Sequence, residues 1–179
     1  LDSNFAIAYA RIGVHYGNRG QFELATEYVQ KAYDLRDRVS ERERLYISEK
    51  YHGYITGENP KVIEVLQAWT RLYPNDYVPH NNLAFQYLLV GRFEEAMKEA
   101  QAAVRLSPNN SSALENLIGS FIGLGRFDEA EQIANQKKAT HPDSGGVHNN
   151  NIIFAFLRRD WAAINAEVEW SRGKPSEPD

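Results

Sequence analysis

The sequence predicts an all-α protein built from stacked helical hairpins, because one long stretch of the chain recurs after 34 residues. Residues 80–108 read HNNLAFQYLLVGRFEEAMKEAQAAVRLSP, and residues 114–142 read LENLIGSFIGLGRFDEAEQIANQKKATHP. The apolar residues keep helical spacing, and no segment alternates apolar and polar residues as a half-buried strand would. One hairpin of this size cannot bury its own apolar face, so neighbouring hairpins must stack.

The pattern Gly-x-Phe-x-x-Ala with a closing proline, which begins at Gly91 and again at Gly125, resembles the tetratricopeptide repeat, or TPR. The resemblance implies an α-α superhelix of about ten antiparallel helices in five hairpins, the last one partial. It also implies a concave groove lined by the first helix of each hairpin.

The repeats are expected to form a single domain over residues 1–173, followed by a disordered tail at 174–179. They run over residues 6–39, 43–76, 77–110, 111–144 and 145–173. The start, Leu1 to Phe5, matches the end of a repeat, and Ser3 could cap the next helix. We therefore expect the chain to be a piece of a longer protein with further repeats upstream.

The second repeat is the least regular, because it begins after three extra residues between Asp37 and Arg44. Ser40-x-x-Glu43 is a capping-box pattern, which predicts a helix from Ser40 to about Thr56. Asn59-Pro60 is typical of an N-cap followed by proline at the first helical position.

The later helix starts are predicted from cap residues in the same way. Asn110 or Ser111 opens the fourth repeat, with Ser112-x-x-Glu115 as a second capping-box pattern. The fifth repeat opens after Asp143, with a first helix over about 147–159 and a second helix capped by Asp160.

Composition excludes several kinds of site. The chain has no cysteine, a formal net charge of −4, and no apolar run near the ~18 residues that a membrane span needs. These features argue against disulfides, thiolate metal sites, a nucleic-acid surface and a membrane span within this segment. The five histidines form no His-x-x-x-His pair, and no phosphate loop or nucleophile elbow is present. We therefore expect no cofactor, no metal site, no catalytic residues and no enzymatic activity.

A row of asparagines indicates how the groove could bind a partner. Asn82, Asn116 and Asn150 stand 34 residues apart in the first helices, and Asn81 and Asn149 precede two of them. An amide donates and accepts hydrogen bonds, so such a row could pair with the peptide units of an extended chain. Asparagine ladders at this position serve that purpose in some TPR proteins, by resemblance. The alternative is that these amides bond neighbouring helices or are left over from duplication.

Aromatic residues on the same helices are the second part of the candidate site. Tyr51 and Phe85 lie one turn beyond the asparagine position and could receive partner side chains. Leu88, Ile122 and Phe156 lie further on and are better explained as the seam between repeats. The carboxylate clamp of chaperone-binding TPR proteins is not expected, because only Asn82 fits its pattern.

The leading hypothesis is a non-enzymatic scaffold that binds an extended peptide of a protein partner in its concave groove. Residues 38–110 also resemble the TPR extensions of some bacterial Ser/Thr protein kinases and transcriptional regulators, which implies a larger bacterial signalling protein. One alternative is self-association, as a homodimer through the C-terminal hairpin with Phe156, Trp161 and Trp170. A second is an accessory or sensory domain of an enzyme such as a Ser/Thr kinase. The compartment stays open between cytoplasm and periplasm.

Overall fold

The computed structural model describes residues 5–142 and 144–172. In these residues the chain forms ten α-helices and no strand, as predicted. The helices are α1 Ala6–Asn18, α2 Phe22–Asp34, α3 Glu41–Tyr51, α4 Asn59–Leu72, α5 Tyr77–Leu89, α6 Phe93–Leu106, α7 Ser111–Gly123, α8 Phe127–Thr140, α9 Gly145–Leu157 and α10 Trp161–Ser171. Helix α1 packs against α2, α3 against α4, α7 against α8 and α9 against α10, as the predicted hairpins require. The predicted Ser3 cap, Asp143 and the tail at 174–179 lie outside the described residues.

Glycine at a fixed repeat position reverses the chain inside the first four hairpins. Gly20, Gly57, Gly91 and Gly125 have φ angles of 72°, 65°, 74° and 72°. This left-handed region carries no steric penalty for glycine, which has no Cβ. In the fifth hairpin Arg159 takes the same position with φ of 57°. The 34-residue glycine period is therefore a period of chain reversals.

Caps fix several helix starts where the sequence predicts them. The Ser40 hydroxyl accepts the N–H of Glu43, and the Glu43 carboxylate accepts the N–H of Ser40, so the predicted capping box is confirmed. Asn110 accepts the N–H of Ala113 at 2.9 Å, and Asp160 accepts the N–H of Ala163 at 3.0 Å. These bonds satisfy amide groups that a helix start leaves without partners.

Two boundary predictions are wrong by one or two residues, and one predicted capping box is not formed. Glu58, rather than Asn59, is the N-cap of α4, so proline stands at the second helical position. Helix α9 begins at Gly145 instead of about Val147, because the Ser144 hydroxyl accepts the N–H of Val147 and caps the helix earlier. Ser112 and Glu115 form no capping box, since Asn110 caps α7.

The second hairpin departs from the regular repeat in two places. A 3-10 turn, Arg36–Arg38, occupies the stretch where the extra residues were predicted. The helix that starts after Ser40 does extend to Thr56, but its last turn, His52–Thr56, is π-helical. The Gly57 N–H donates to the His52 carbonyl five residues earlier and closes this wider turn, and the Glu58 N–H donates to the same carbonyl at 3.2 Å. Single π-turns of this kind are uncommon inside α-helices.

The chain divides into two compact units, Leu1–Gln86 and Tyr87–Asp179, whose boundary lies within α5. The single domain predicted over 1–173 stays a prediction, and each unit is described by itself. In the first unit α1, α2 and α3 share a core of small and branched residues, Ala6, Ala10, Ala32 and Ile47, with tyrosines packed around it. Gly13 lets α1 approach α2, since a Cβ there would lie 2.7 Å from a Val29 methyl.

The second unit is centred on α7. Seven of its residues are buried: Ala113, Leu114, Asn116, Leu117, Ile118, Ser120 and Phe121. Small buried residues on α6 and α8 face the core of the unit, among them Ala96, Ala100 and Ala130. Small side chains at these positions allow close helix packing. Asn116, which belongs to the predicted asparagine row, is thus inside the unit.

Candidate functional site

In the first unit, α5 presents the predicted residues Asn81, Asn82 and Phe85. The Asn81 amide donates to the Asn82 side-chain oxygen at 3.3 Å, and both side chains are half-buried. The Phe85 ring, one turn later, is 49% exposed. This stretch of α5 therefore offers polar amides beside an accessible aromatic ring.

Tyr51 is less accessible than its repeat position suggests. Its ring stacks on the ring of Tyr33 with centroids 3.6 Å apart and an interplanar angle of 13°. The Arg36 guanidinium lies 4.0 Å from the Tyr33 centroid, so the two rings and the cation form one cluster. One face of Tyr51 is thus occupied inside the unit, and the ring is half-buried.

In the second unit the asparagines separate into buried and exposed members. Asn116 and Asn150 are buried, at 7% and 2% exposure, whereas Asn149 is exposed. The Asn150 amide donates to the Glu115 carboxylate at 3.3 Å, which joins α9 to α7. Asn150 thus makes the contact between neighbouring helices that the alternative interpretation describes. A peptide role for the asparagines stays a prediction.

The same Glu115 oxygen also accepts a hydrogen bond from Lys137 on α8. Lys137 is buried, and its position in the repeat holds Ala32, Trp69 and Ala103 elsewhere. A buried ammonium must be paired, and this carboxylate supplies the partner. The cluster of Lys137, Glu115 and Asn150 was not predicted. A lysine at a position that is otherwise apolar was the signal that could have revealed it.

A second polar cluster joins the two helices of the last hairpin. The Glu167 carboxylate on α10 pairs with His148 through one oxygen and accepts the Asn151 amide through the other, at 2.7 Å. The His148 ring stacks on the indole of Trp170, with centroids 3.3 Å apart. Trp170 is therefore engaged within the hairpin and is half-buried.

Two other aromatic residues of this hairpin are exposed, whereas Phe154 is buried. Phe156 and Trp161 are each 62% exposed, and their rings meet edge to face with centroids 6.4 Å apart. Ile153 and Leu157 on α9 are also exposed. Of the three aromatic residues predicted for self-association, the structure thus leaves Phe156 and Trp161 accessible.

A small polar cavity of about 230 Å³ lies between α8, α9 and α10. Asn150, Asn151, Glu167 and the ion pair of Glu131 with Arg158 are among the residues that line it. Each of these groups already has a partner inside the second unit. The cavity is consequently part of the packing of the last three helices.

Among the described residues, no three His, Asp or Glu side chains are placed to hold a metal ion. None of the described helices combines the length and the apolar character needed to cross a membrane.

The tetratricopeptide repeat family model matches residues 87–149, from the end of α5 into α9. No curated protein matches the chain. Among solved structures, a thermophilic TPR protein of Thermus thermophilus is similar, with a TM-score of 0.77, 16% identity, and coverage of 96% of this chain and 93% of that one. MamA from Desulfovibrio magneticus RS-1 is similar with a TM-score of 0.67 and 16% identity, over 97% of this chain and 99% of that one.

At these identities the solved structures show the fold, and they confirm the predicted class, an all-α helical repeat of the α-α superhelix type. The family model covers the region in which the repeat pattern is most regular in the sequence. Residues 87–149 therefore match the tetratricopeptide repeat, which the patterns beginning at Gly91 and Gly125 predict, and the chain has the fold of solved tetratricopeptide repeat proteins.

Proposed function

We propose that this chain is a non-enzymatic protein-interaction scaffold that binds an extended peptide along the first helices of its hairpins. The observation that carries the proposal is an amide followed, four residues later, by an exposed apolar side chain. In α5 the pair is Asn81 and Phe85, and in α9 it is Asn149 and Ile153. The two pairs occupy equivalent repeat positions, two repeats apart. Residues four apart lie on one face of a helix, so each pair offers a polar and an apolar contact together.

In the proposal, the asparagine amides and the exposed apolar residues have different roles. The amides of Asn81, Asn82 and Asn149 pair with peptide groups of the partner, which gives affinity with little dependence on its sequence. Phe85 and Ile153 contact partner side chains, and such apolar anchors contribute much of the binding energy at interfaces. Asn150 acts indirectly, because its bond to Glu115 sets the position of α9.

The experiment is a binding measurement on the full chain. Fluorescently labelled extended peptides of varied sequence are screened by fluorescence polarisation, and the best binder is titrated against variants. The double substitution F85A with I153A should weaken binding at least about tenfold, equivalent to about 1.4 kcal/mol. The matched control is L72A with L106A, which removes exposed leucines from the second helices α4 and α6. Equal losses in both variants, or no binder in the screen, would contradict the proposal.

The asparagine row has its own test with the same peptide. The double variant N81A, N82A should weaken binding, with helical content checked by circular dichroism. A separate N149A variant tests the exposed amide without touching the buried cluster. Unchanged affinity in both folded variants would remove the amides from the binding site.

The resemblance of residues 38–110 to TPR extensions supports placing the scaffold in a larger bacterial signalling protein. Sequencing the complete open reading frame that contains this segment tests whether the scaffold belongs to a signalling protein. A neighbouring kinase or regulator domain is the expected result, and its absence would leave the scaffold without the signalling context.

The exposed rings of Phe156 and Trp161 favour a second candidate function, self-association through the C-terminal hairpin. Light scattering over a range of concentrations tests it on the full chain. A dimer that dissociates in the W161A variant would support this candidate, and a monomer at high concentration would contradict it.

A further inference from the structure

Glu115 on α7 occupies the repeat position that holds Asn81 on α5 and Asn149 on α9. The three residues are 34 apart in the chain, so their side chains leave equivalent points of successive first helices. Where the neighbouring repeats carry a neutral amide, the fourth repeat therefore carries an anion.

Glu115 is also the one Asp, Glu, Lys or Arg residue of α7 and α9, the first helices of the second unit, both of which the structure describes in full. His148 on α9 is titratable, but its ring is engaged with Glu167 and Trp170 of the last hairpin. A partner that lies along α7 and α9 thus meets a single ionised side chain among amides and apolar groups.

The two oxygens of the Glu115 carboxylate differ in their surroundings. Oε2 accepts both the Lys137 ammonium and the Asn150 amide. Oε1 receives no hydrogen bond from any residue that the structure describes, and the side chain is 40% exposed. An ionised carboxylate can accept about four hydrogen bonds. The group is therefore held through one oxygen and can accept further donors through the other.

Packing alone does not account for Lys137, because alanine fills the equivalent position in two other hairpins. A buried ammonium costs free energy unless a partner compensates it, and a buried ion pair often adds no stability over apolar residues. Together with Asn150, however, Lys137 fixes the carboxylate at the surface of the first helices. Such a fixed acceptor is more useful for recognition than for stability.

A partner that covers Glu115 removes water from Oε1, and an uncompensated carboxylate is costly to bury. The partner must consequently bring a hydrogen-bond donor. Bonds between charged groups are about twice as strong as neutral ones. The chain has a formal net charge of −4, which also attracts cations. A lysine or arginine side chain is the donor that best fits this position.

We propose that Glu115 selects partner segments that carry a lysine or arginine, whose side chain donates to Oε1. The inference rests on the proposed function, since it places the extended peptide on the first helices. Pairing of amides with peptide groups depends little on the partner's sequence, and Glu115 adds a requirement at one partner residue. The apolar neighbours of that cation contact Ile153.

The probe is a pair of pools of fluorescein-labelled extended peptides, which are identical except at one central residue. This residue is lysine in one pool and glutamine in the other, and the flanks vary among apolar and threonine residues. Binding to the full chain is measured by fluorescence polarisation, and the tightest lysine peptide is then compared with its glutamine twin. We expect the lysine peptide to bind at least about tenfold more tightly.

Two variants that share the same change in the core isolate the carboxylate. K137M keeps Glu115 and its bond from Asn150, and it should retain the preference for lysine. The double variant E115Q, K137M should bind the two twins within about twofold of each other, with the affinity of the glutamine twin unchanged. Urea unfolding of both variants checks that they are equally stable. Raising NaCl from about 0.05 M to about 0.5 M should reduce the preference, because salt screens the charges.

Twins that bind the parent chain equally, or a lysine preference that persists in E115Q, K137M, would overturn the proposal. The I153A variant separates this failure from that of the proposed function. If I153A weakens both twins while neither is preferred, the peptide surface stands and only the selection by Glu115 is lost. If no peptide of either pool binds, both proposals are contradicted.

Discussion

Lys137 on α8 is buried and bonds the carboxylate of Glu115 on α7, and the same carboxylate oxygen accepts the amide of Asn150 on α9. Three consecutive helices thus meet at one oxygen atom. The equivalent position of Lys137 is occupied by Ala32, Trp69 and Ala103 in the preceding repeats, so this junction is particular to the fourth and fifth repeats.

Removing the carboxylate from this junction should destabilise the second unit. E115A leaves a buried ammonium without its partner, and we expect a loss of about 2–4 kcal/mol in the free energy of unfolding. K137M keeps the volume and removes the charge, so it should be close to neutral. Urea unfolding of E115A, K137M and the double variant measures both effects. The account fails if E115A is as mild as K137M, or if the double variant is no more stable than E115A.

Replacing either of two glycines on α7 by alanine should change the stability of the protein by different amounts. G123A places a methyl group 2.4 Å from the Phe93 ring, and the ring must move; we expect a cost of about 1–3 kcal/mol. G119A meets Leu88 at an ordinary 3.4 Å and gains helix propensity, so it should be neutral or stabilising by up to about 1 kcal/mol. Thermal unfolding of the two variants measures the difference. Equal effects would show that α7 does not lie as closely on Phe93 as described.

The last hairpin should become more stable when its left-handed residue is glycine. Arg159 has φ of 57°, and a residue with a Cβ pays about 1–2 kcal/mol there, partly offset by the flexibility of glycine in the unfolded chain. R159G should therefore slow amide hydrogen exchange in α9 and α10. R158G is the control, because Arg158 has φ of −88° and pairs with Glu131. Faster exchange in R159G than in the parent chain would contradict the argument.

The first unit should lose stability at alkaline pH. Burial raises the pKa of Tyr46 above its usual 10.0, and burial likewise raises the pKa of Tyr54. Burial by itself lowers the pKa of Lys50, but the Glu49 carboxylate together with the phenols of Tyr46 and Tyr54 leaves that pKa raised. Groups with a raised pKa hold their protons more tightly in the folded state than in the unfolded state. Their contribution to the free energy of unfolding is therefore complete below pH 10 and falls as pH rises further.

Melting temperatures measured from pH 8 to pH 11 test this expectation, whose onset near pH 10 follows from the ordinary tyrosine pKa. The Y46F and Y54F variants should show a shallower decline than the parent chain, because each removes one titrating phenol. Y77F, which alters an exposed tyrosine, is the control and should decline as the parent does. An unchanged slope in the first two variants would show that these phenols do not titrate with unfolding.

The sequence predicts the hairpins well because their determinants are local. The glycine period marks chain reversals, and cap residues such as Ser40 and Asp160 start helices through bonds to amides three residues away. The π-helical turn at His52–Thr56 has no comparable local signal, so only the extended helix was predicted.

The candidate site was predicted less completely, because the repeat alignment gives a residue's position but not its neighbours across the next helix. Asn149 and Phe85 are exposed, in keeping with a binding role, whereas Asn150 is buried against Glu115. The same Glu115 carboxylate also bonds Lys137, which comes from another helix and departs from the repeat pattern. Aligning the repeats shows that a lysine stands at an otherwise apolar position, but it does not show which side chains that lysine contacts.

The central claim is that the first helices of the hairpins form the binding surface. Hydrogen–deuterium exchange of the full chain, with and without a saturating extended peptide, tests it most directly. We predict that bound peptide protects amides in α5 and α9, which carry Phe85 and Ile153, and leaves α6 and α8 unchanged. Protection confined to α6 and α8, or exchange identical in both states despite binding, would contradict it.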